Sequence, residues 1–168
     1  MSTPSDPPTS TEPQHWVRPA VTADAPVIDA WLMARMPLPV PEARARRLSL
    51  EALLEQGAHG MCLIGGTNME PDMIECLLPV TLVHSLFNGG RIAMAAEWWP
   101  PDAADAPVGV WLAECCAMLA DWCRAHGIRH LCLTPAIVGE SAPPAGFFQC
   151  TADGLWHHSL APAPKQLG

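Results

Sequence analysis

The carboxylate with the most suggestive neighbours is Glu97, in Ala95-Ala96-Glu97-Trp98-Trp99. It closes an apolar run beside two indoles, a setting that disfavours the charged form and raises a carboxyl pKa toward the range of a general base. The plain alternative is an outward-facing residue at a strand terminus. His157-His158 carries ligand chemistry, but successive strand residues point to opposite faces, so the pair cannot easily grip one ion. No metal is expected. Cys115-Cys116 has neither CxxC nor zinc spacing. The seven cysteines (62, 76, 115, 116, 123, 132 and 150) lie mostly in apolar periodic segments and read as reduced, buried small hydrophobes rather than nucleophiles.

The scaffold for these residues is bounded by composition. A chain of 168 residues, 49% apolar and 15% charged, is too hydrophobic to be disordered throughout and fits one domain. That domain is expected over residues 16–160, between tails at 1–15 and 161–168. Residues 1–15 hold four prolines and no large aliphatic side chain, too little to offset the entropy of ordering them. They also lack a basic start followed by an apolar run, so a cytoplasmic location is expected. The net charge of −8, with Lys165 as the single lysine, argues against a nucleic-acid backbone as partner. Apolar stretches such as 76–83 fall short of the roughly 18 residues of a membrane span; no membrane partner is expected.

Along the chain, a short strand at Trp16–Ala20 precedes a helix over Pro26–Met36, capped by Thr22 or Asp24 and stopped by Pro37, Pro39 and Pro41. A second helix is predicted over Glu42–Gln56, with Leu48, Leu50, Leu53 and Leu54 inward. Met61–Ile64 is a strand ended by Gly65-Gly66. Residues 73–87 form a long extended stretch in which Pro79 marks a bulge or an edge. Asn88-Gly89 then signals a hairpin into a fourth strand, Ile92–Trp99. Residues 109–126 give the clearest helix: Trp111, Cys115, Met118 and Trp122 form one stripe and Leu112, Cys116, Leu119 and Cys123 the next, with Glu114, Asp121 and Arg124 outside. Strand Ile128–Leu133 completes a β-α-β unit, so it is expected parallel to a strand of the same sheet. A loop or poor helix (135–144) and two short strands (147–150 and 155–160), turned at Asp153-Gly154, follow.

This order of elements resembles the GNAT superfamily of N-acetyltransferases over about residues 16–160. Val17-Arg18-Pro19-Ala20 with Ala23-Asp24-Ala25, the passage from Cys123 to Leu133, and Ala145-Gly146-Phe147 are similar to that family's first strand and turn, its central helix leading into strand five, and the Gly-Phe before its sixth strand. The resemblance implies an α/β, GNAT-like acyl-CoA N-acyltransferase fold: a mixed, mostly antiparallel central sheet with helices on both faces. It also implies that strands four and five part, leaving amides near Ala96–Trp98 free to receive a thioester.

The implied reaction moves an acetyl or other acyl group from acetyl-CoA, as co-substrate and without a metal, to a small-molecule or peptide amine by direct attack. Glu97 stands at the family's catalytic carboxylate and would take the ammonium proton. Ala96, Trp98 and Trp99 would line the cofactor, and Val108, Gly109 and Val110 would face its phosphates at a helix N-terminus. Asp102, Asp105 and Pro107 occupy the loop before that helix. The family's tyrosine acid has no counterpart, since the chain has no tyrosine; Ala142 stands at its place with Ser141 beside it. His84 is read as a strand histidine, with an acceptor-facing role as the competing reading. Trp98, Trp99 and Trp111 wall an acceptor pocket or serve core and interface roles, which leaves a homodimer open. The acidic stretch 70–75 and the −8 charge favour a cationic acceptor. The alternatives are a catalytically degenerate relative that binds acyl-CoA or a protein partner without turnover, and a metal protein built on His and Cys.

Overall fold

The computed structural model describes residues 14–55, 59–67, 73–102, 108–139 and 142–160. In chain order these give β1 (His15–Pro19), a 3-10 turn (Thr22–Asp24), α1 (Ala25–Arg35), α2 (Val40–Leu54), β2 (Gly60–Thr67), β3 (Cys76–Ser85), β4 (Gly90–Ala95), α3 (Val108–Ala125), β5 (His130–Leu133), α4 (Pro135–Val138), β6 (Phe148–Gln149) and β7 (Trp156–Ser159). The described strands form one sheet in the order β1-β2-β3-β4-β5-β7-β6. Every neighbouring pair is antiparallel except β4 with β5. This is the expected mixed sheet, and the parallel pair is the expected β-α-β unit around α3.

Helices cover both faces because the central strands are apolar on both. In β2, Met61 and Leu63 face α3, joining Trp111, Cys115, Leu119 and Cys123 in one core. Cys62 and Ile64 face the other way, onto Ile28, Leu32, Leu50 and Leu54 of α1 and α2. A strand buried on both faces reads as a continuous apolar run, which is why Met61–Ile64 is legible and its end is not. β2 continues through Gly65-Gly66 to Thr67, contrary to the expected stop. These glycines are where other groups come close: a Cβ on Gly65 would stand 2.7 Å from the Trp111 ring and 2.9 Å from the Trp16 carbonyl, and one on Gly66 would stand 2.4 Å from the Met73 carbonyl. Glycine inside a strand here marks close approach rather than a turn.

Other differences have similarly local causes. β1 begins at His15, the last residue assigned to the tail, whose ring stacks on Trp111 at 4.5 Å. Pro41 opens α2 instead of preceding it, since the first helical turn tolerates the missing N–H. Leu48, expected inward, is exposed, while Leu50 and Leu54 are buried. Trp111, a candidate pocket wall, is 1% exposed and belongs to the core. Residues 1–13 of the expected tail at 1–15, the expected tail at 161–168 and the acidic residues Glu70 and Asp72 lie outside the described residues.

Candidate active site

The site begins with a change of register at the end of β4. Thr81 pairs with Met94, and Leu77 with Trp99 through both backbone bonds at 3.0 Å. Four steps along β3 therefore face five on the partner, a one-residue β-bulge over 95–98. Pro79 explains its position. The Leu82 amide bonds toward β2, at the His59 carbonyl, so by strand alternation residues 77, 79 and 81 turn their polar groups toward β4. Pro79 has no N–H to give there. Of the two expectations for Pro79, a bulge or an edge, the structure has the bulge, with the extra residue on the partner strand.

On its other side β4 pairs with β5 only over Ala93–Ala95 and Leu131–Leu133. Thr134 fastens the apex: its amide donates to the Ala95 carbonyl at 3.1 Å and its hydroxyl to the Ala96 carbonyl at 3.2 Å. Pro135 then turns the chain into α4, and the strands part. Among the described residues, the amides of Ala96, Glu97 and Trp98 have no acceptor. A cleft of about 440 Å³ opens there, walled by Ala96, Glu97, Trp98, Trp99, Ala136 and Ile137. The indole Nε1 of Trp98 is buried without a partner. Because the Ala95 and Ala96 carbonyls are turned toward Thr134, the amides of Ala96 and Glu97 point to the other side of the strand, which leaves the Trp98 amide as the backbone donor that can polarise a carbonyl oxygen placed in the cleft.

Ile137 also lines a second cleft, of about 330 Å³, that runs past Gly109, Leu112 and Ala113 of α3. The first amides of an α-helix have no intrahelical acceptor and carry the positive end of its dipole, so Val108, Gly109 and Val110 can receive an anion. Gly109 is exposed, and a Cβ there would meet nothing within 4 Å. Asp102, on the approach to α3, is paired with Arg35 at 2.5 Å, which offsets its charge. Arg35 also donates to the Pro100 carbonyl and lies over the Trp31 ring. Asp105, Pro107 and Ser141 lie outside the described residues; Ala142 is exposed and lines the second cleft.

Glu97 is exposed rather than enclosed by its apolar sequence neighbours. Its Oε2 accepts from Trp99 Nε1 at 3.3 Å, and its charge reaches Cys62 on the α1–α2 face. Beyond Glu97 that face is hollow: one chamber of about 370 Å³ is lined by Ser49, Leu53, His59 and Pro79, and another of about 110 Å³ by Arg46, Leu50, Cys62 and Trp99. Glu97 lines both. Sequence reasoning missed Arg46 and Ser49, although 46, 49, 50 and 53 follow the i, i+3, i+4, i+7 spacing of one helix face.

The remaining candidates sort away from this site. The described cysteines are free. Burial pushes the thiols of Cys62, Cys116 and Cys123 up to about 12 and that of Cys132 to about 11. Cys115 is raised too, first by its hydrogen bond with Cys76 and then by burial. Such thiols supply no thiolate at neutral pH. His84 is exposed, opposite Arg91 near the β3–β4 hairpin. His157 bonds Asp153 at 2.8 Å while His158 packs on Phe147, so the two rings occupy different environments, as expected for a strand. His157, Asp153 and Cys150 bring potential ligand atoms within 4.8 Å of one another, with Asp153 already accepting from the Leu155 amide. No described helix is long and apolar enough to cross a membrane.

No family model matches the sequence, and no curated protein matches it. Solved structures do match. A GNAT family N-acetyltransferase from Escherichia coli in complex with CoA aligns over 95% of this chain and 86% of its own, with 17% identity and a TM-score of 0.60. The chain has the GNAT fold. Two further GNAT-fold neighbours are a predicted acetyltransferase with acetyl-CoA from Clostridium acetobutylicum (11% identity, 82% of this chain and 96% of that one, TM-score 0.56) and a ribosomal-protein-alanine N-acetyltransferase from Brucella melitensis (16%, 84% and 85%, TM-score 0.52). In this GNAT fold the bulge, the parted strands and the open end of α3 all lie beside the parallel β4–β5 pair.

Proposed function

We propose that the chain transfers an acyl group, acetyl in the first instance, from acyl-CoA to a primary amine. The observation that carries this reading is the parting of β4 and β5 after Ala95 and Leu133, with a cleft at the break lined by Ala96, Glu97 and Trp98, whose amides have no acceptor among the described residues. The GNAT fold, with CoA or acetyl-CoA bound in two of the neighbours, supports acyl-CoA as the donor. Val108, Gly109 and Val110 would hold its phosphates, with the pantetheine arm running past Ile137 to Ala96, Trp98 and Trp99.

An alkylammonium with a pKa of about 10 has no lone pair to attack with at neutral pH. Glu97, exposed and bordering the chambers on the opposite side, takes that proton directly or through one water. The amine nitrogen then bonds to the thioester carbon, and the Trp98 amide bears the developing oxyanion. The C–S bond breaks, CoA leaves as its thiolate, and the surplus proton passes to solvent. The thiolate is a good enough leaving group to need no acid in the tyrosine-free site. No cysteine takes part, so no covalent acyl-enzyme forms.

Titration calorimetry with acetyl-CoA, followed by free-thiol release with a panel of amines, tests the reading. Micromolar binding with amine-dependent thiol release supports it. Binding without release turns the chain into an acyl-CoA sensor, and the lack of both rejects acyl-CoA altogether.

A further inference from the structure

We infer that the amine acceptor also carries a carboxylate, and that Arg46 is the group that binds it. This rests on the acyl-transfer reading and adds the substrate class. Arg46 projects from α2, and its Nη1 donates to the Met36 carbonyl at 3.0 Å, just past the end of α1. Its Nε and Nη2 are buried and have no partner. A guanidinium keeps its charge at any physiological pH, and buried N–H groups left unpaired are costly. The Nε and Nη2 hydrogens form one parallel edge, the fork that a carboxylate takes with both oxygens. Arg35 differs: although its Nε also lacks a partner, its other nitrogens are held by Pro100 and Asp102.

Arg46 lines the chamber of about 110 Å³, whose other walls include Leu32, Leu50, Cys62 and Trp99. At about 30 Å³ per water that is the space of three to four waters, enough for a carboxylate and a short carbon chain. Glu97 lines the same chamber, yet no ion pair joins it to Arg46 among the described residues. A zwitterion fits between them, its ammonium toward the proton-accepting carboxylate and its own carboxylate on the guanidinium. A polyamine would set a second cation against Arg46, so the overall charge of −8 is a poor guide to this pocket.

The test uses the full chain with acetyl-CoA and matched acceptors: glycine against methylamine, β-alanine against ethylamine, and spermidine as a polycation. The readout is the ratio of kcat/KM for each acid to that of its decarboxylated partner, which does not depend on the fraction of protein folded. A ratio on the order of tenfold to a hundredfold is expected from a charge-assisted bidentate contact. It should collapse toward one in Arg46→Gln and fall only part-way in Arg46→Lys, which keeps the charge and loses the fork. A native ratio near one, a preference for spermidine, or a ratio unmoved by Arg46→Gln overturns the carboxylate assignment and leaves acyl transfer standing. Absence of thiol release with every acceptor overturns the acyl-transfer reading itself.

Discussion

Replacing Glu97 by Gln isolates the proposed proton transfer. The side chain is exposed, and its one described hydrogen bond, from Trp99 Nε1 at 3.3 Å, can be accepted equally by a glutamine oxygen. An isosteric change at such a surface position shifts stability by less than about 0.5 kcal/mol, so any loss of rate is chemical. At pH 7 only about one part in a thousand of an amine with a pKa near 10 is unprotonated. If Glu97 is the base, the reaction without it must draw on that fraction, and kcat/KM should fall by about 10² to 10⁴, or about 3 to 5 kcal/mol of transition-state stabilisation. The deficit has a pH signature. The variant should gain about tenfold per pH unit until the amine itself is deprotonated, so the gap to the native protein narrows as pH rises. Stopped-time thiol detection between pH 6 and 10, with roughly equal acetyl-CoA affinity verified by calorimetry, reads both features. An unchanged rate and profile would remove Glu97 from the chemistry. A loss of constant size at every pH would leave it a positioning role only.

Gly109→Val should raise the KM for acetyl-CoA by at least about tenfold without lowering Tm, because its Cβ meets no protein atom within 4 Å; a thermal melt beside a saturation curve separates the two effects. Gly65→Ala should do the reverse, costing about 1–3 kcal/mol of stability because a methyl would press on the Trp111 ring and the Trp16 carbonyl, while the kcat of the folded fraction holds; denaturant melts measure the cost. Burial first, and Arg124 second, hold the His158 pKa below its ordinary value of 6.5. The unfolded chain therefore binds the proton more readily, so this contribution to stability is complete above pH 6.5 and is lost as pH falls toward the folded pKa. His158→Gln should flatten that part of a plot of Tm against pH.

Long, strongly patterned segments were legible because their burial repeats. The stripes of α3 place Trp111, Leu112, Cys115, Cys116, Leu119 and Cys123 in the core and leave Glu114, Asp121 and Arg124 exposed, and no other element imposes so regular a demand. The glycines of β2 were misread because glycine serves two purposes, turning and close approach, and only the positions of Trp16, Trp111 and Met73 decide between them. The charge of Asp102 before α3 is offset by Arg35, more than sixty residues earlier in the chain. Pairings across the fold leave no local trace.

The site has the same character, and its two halves differ in how far they can be read. Pro79 announces that one rung of the β3–β4 ladder is missing, and Pro135 announces that β5 must turn away soon after Leu133. Together they require polar backbone near Ala96–Trp98 to lack ordinary sheet partners, a conclusion available from two prolines once the strands are aligned. What the strands cannot announce is the acceptor side, where Arg46 and Ser49 stand on a helix among Arg44, Arg47 and Leu48, which face solvent. An arginine on a polar helix face is ordinarily a solvated charge. Arg46 departs from that rule because the Met36 carbonyl draws its Nη1 toward the end of α1, which turns the opposite edge of the guanidinium inward. The proposed donor site is therefore written in breaks of the sheet, which sequence marks with proline, whereas the proposed acceptor choice is written in a single side-chain orientation, which it does not mark.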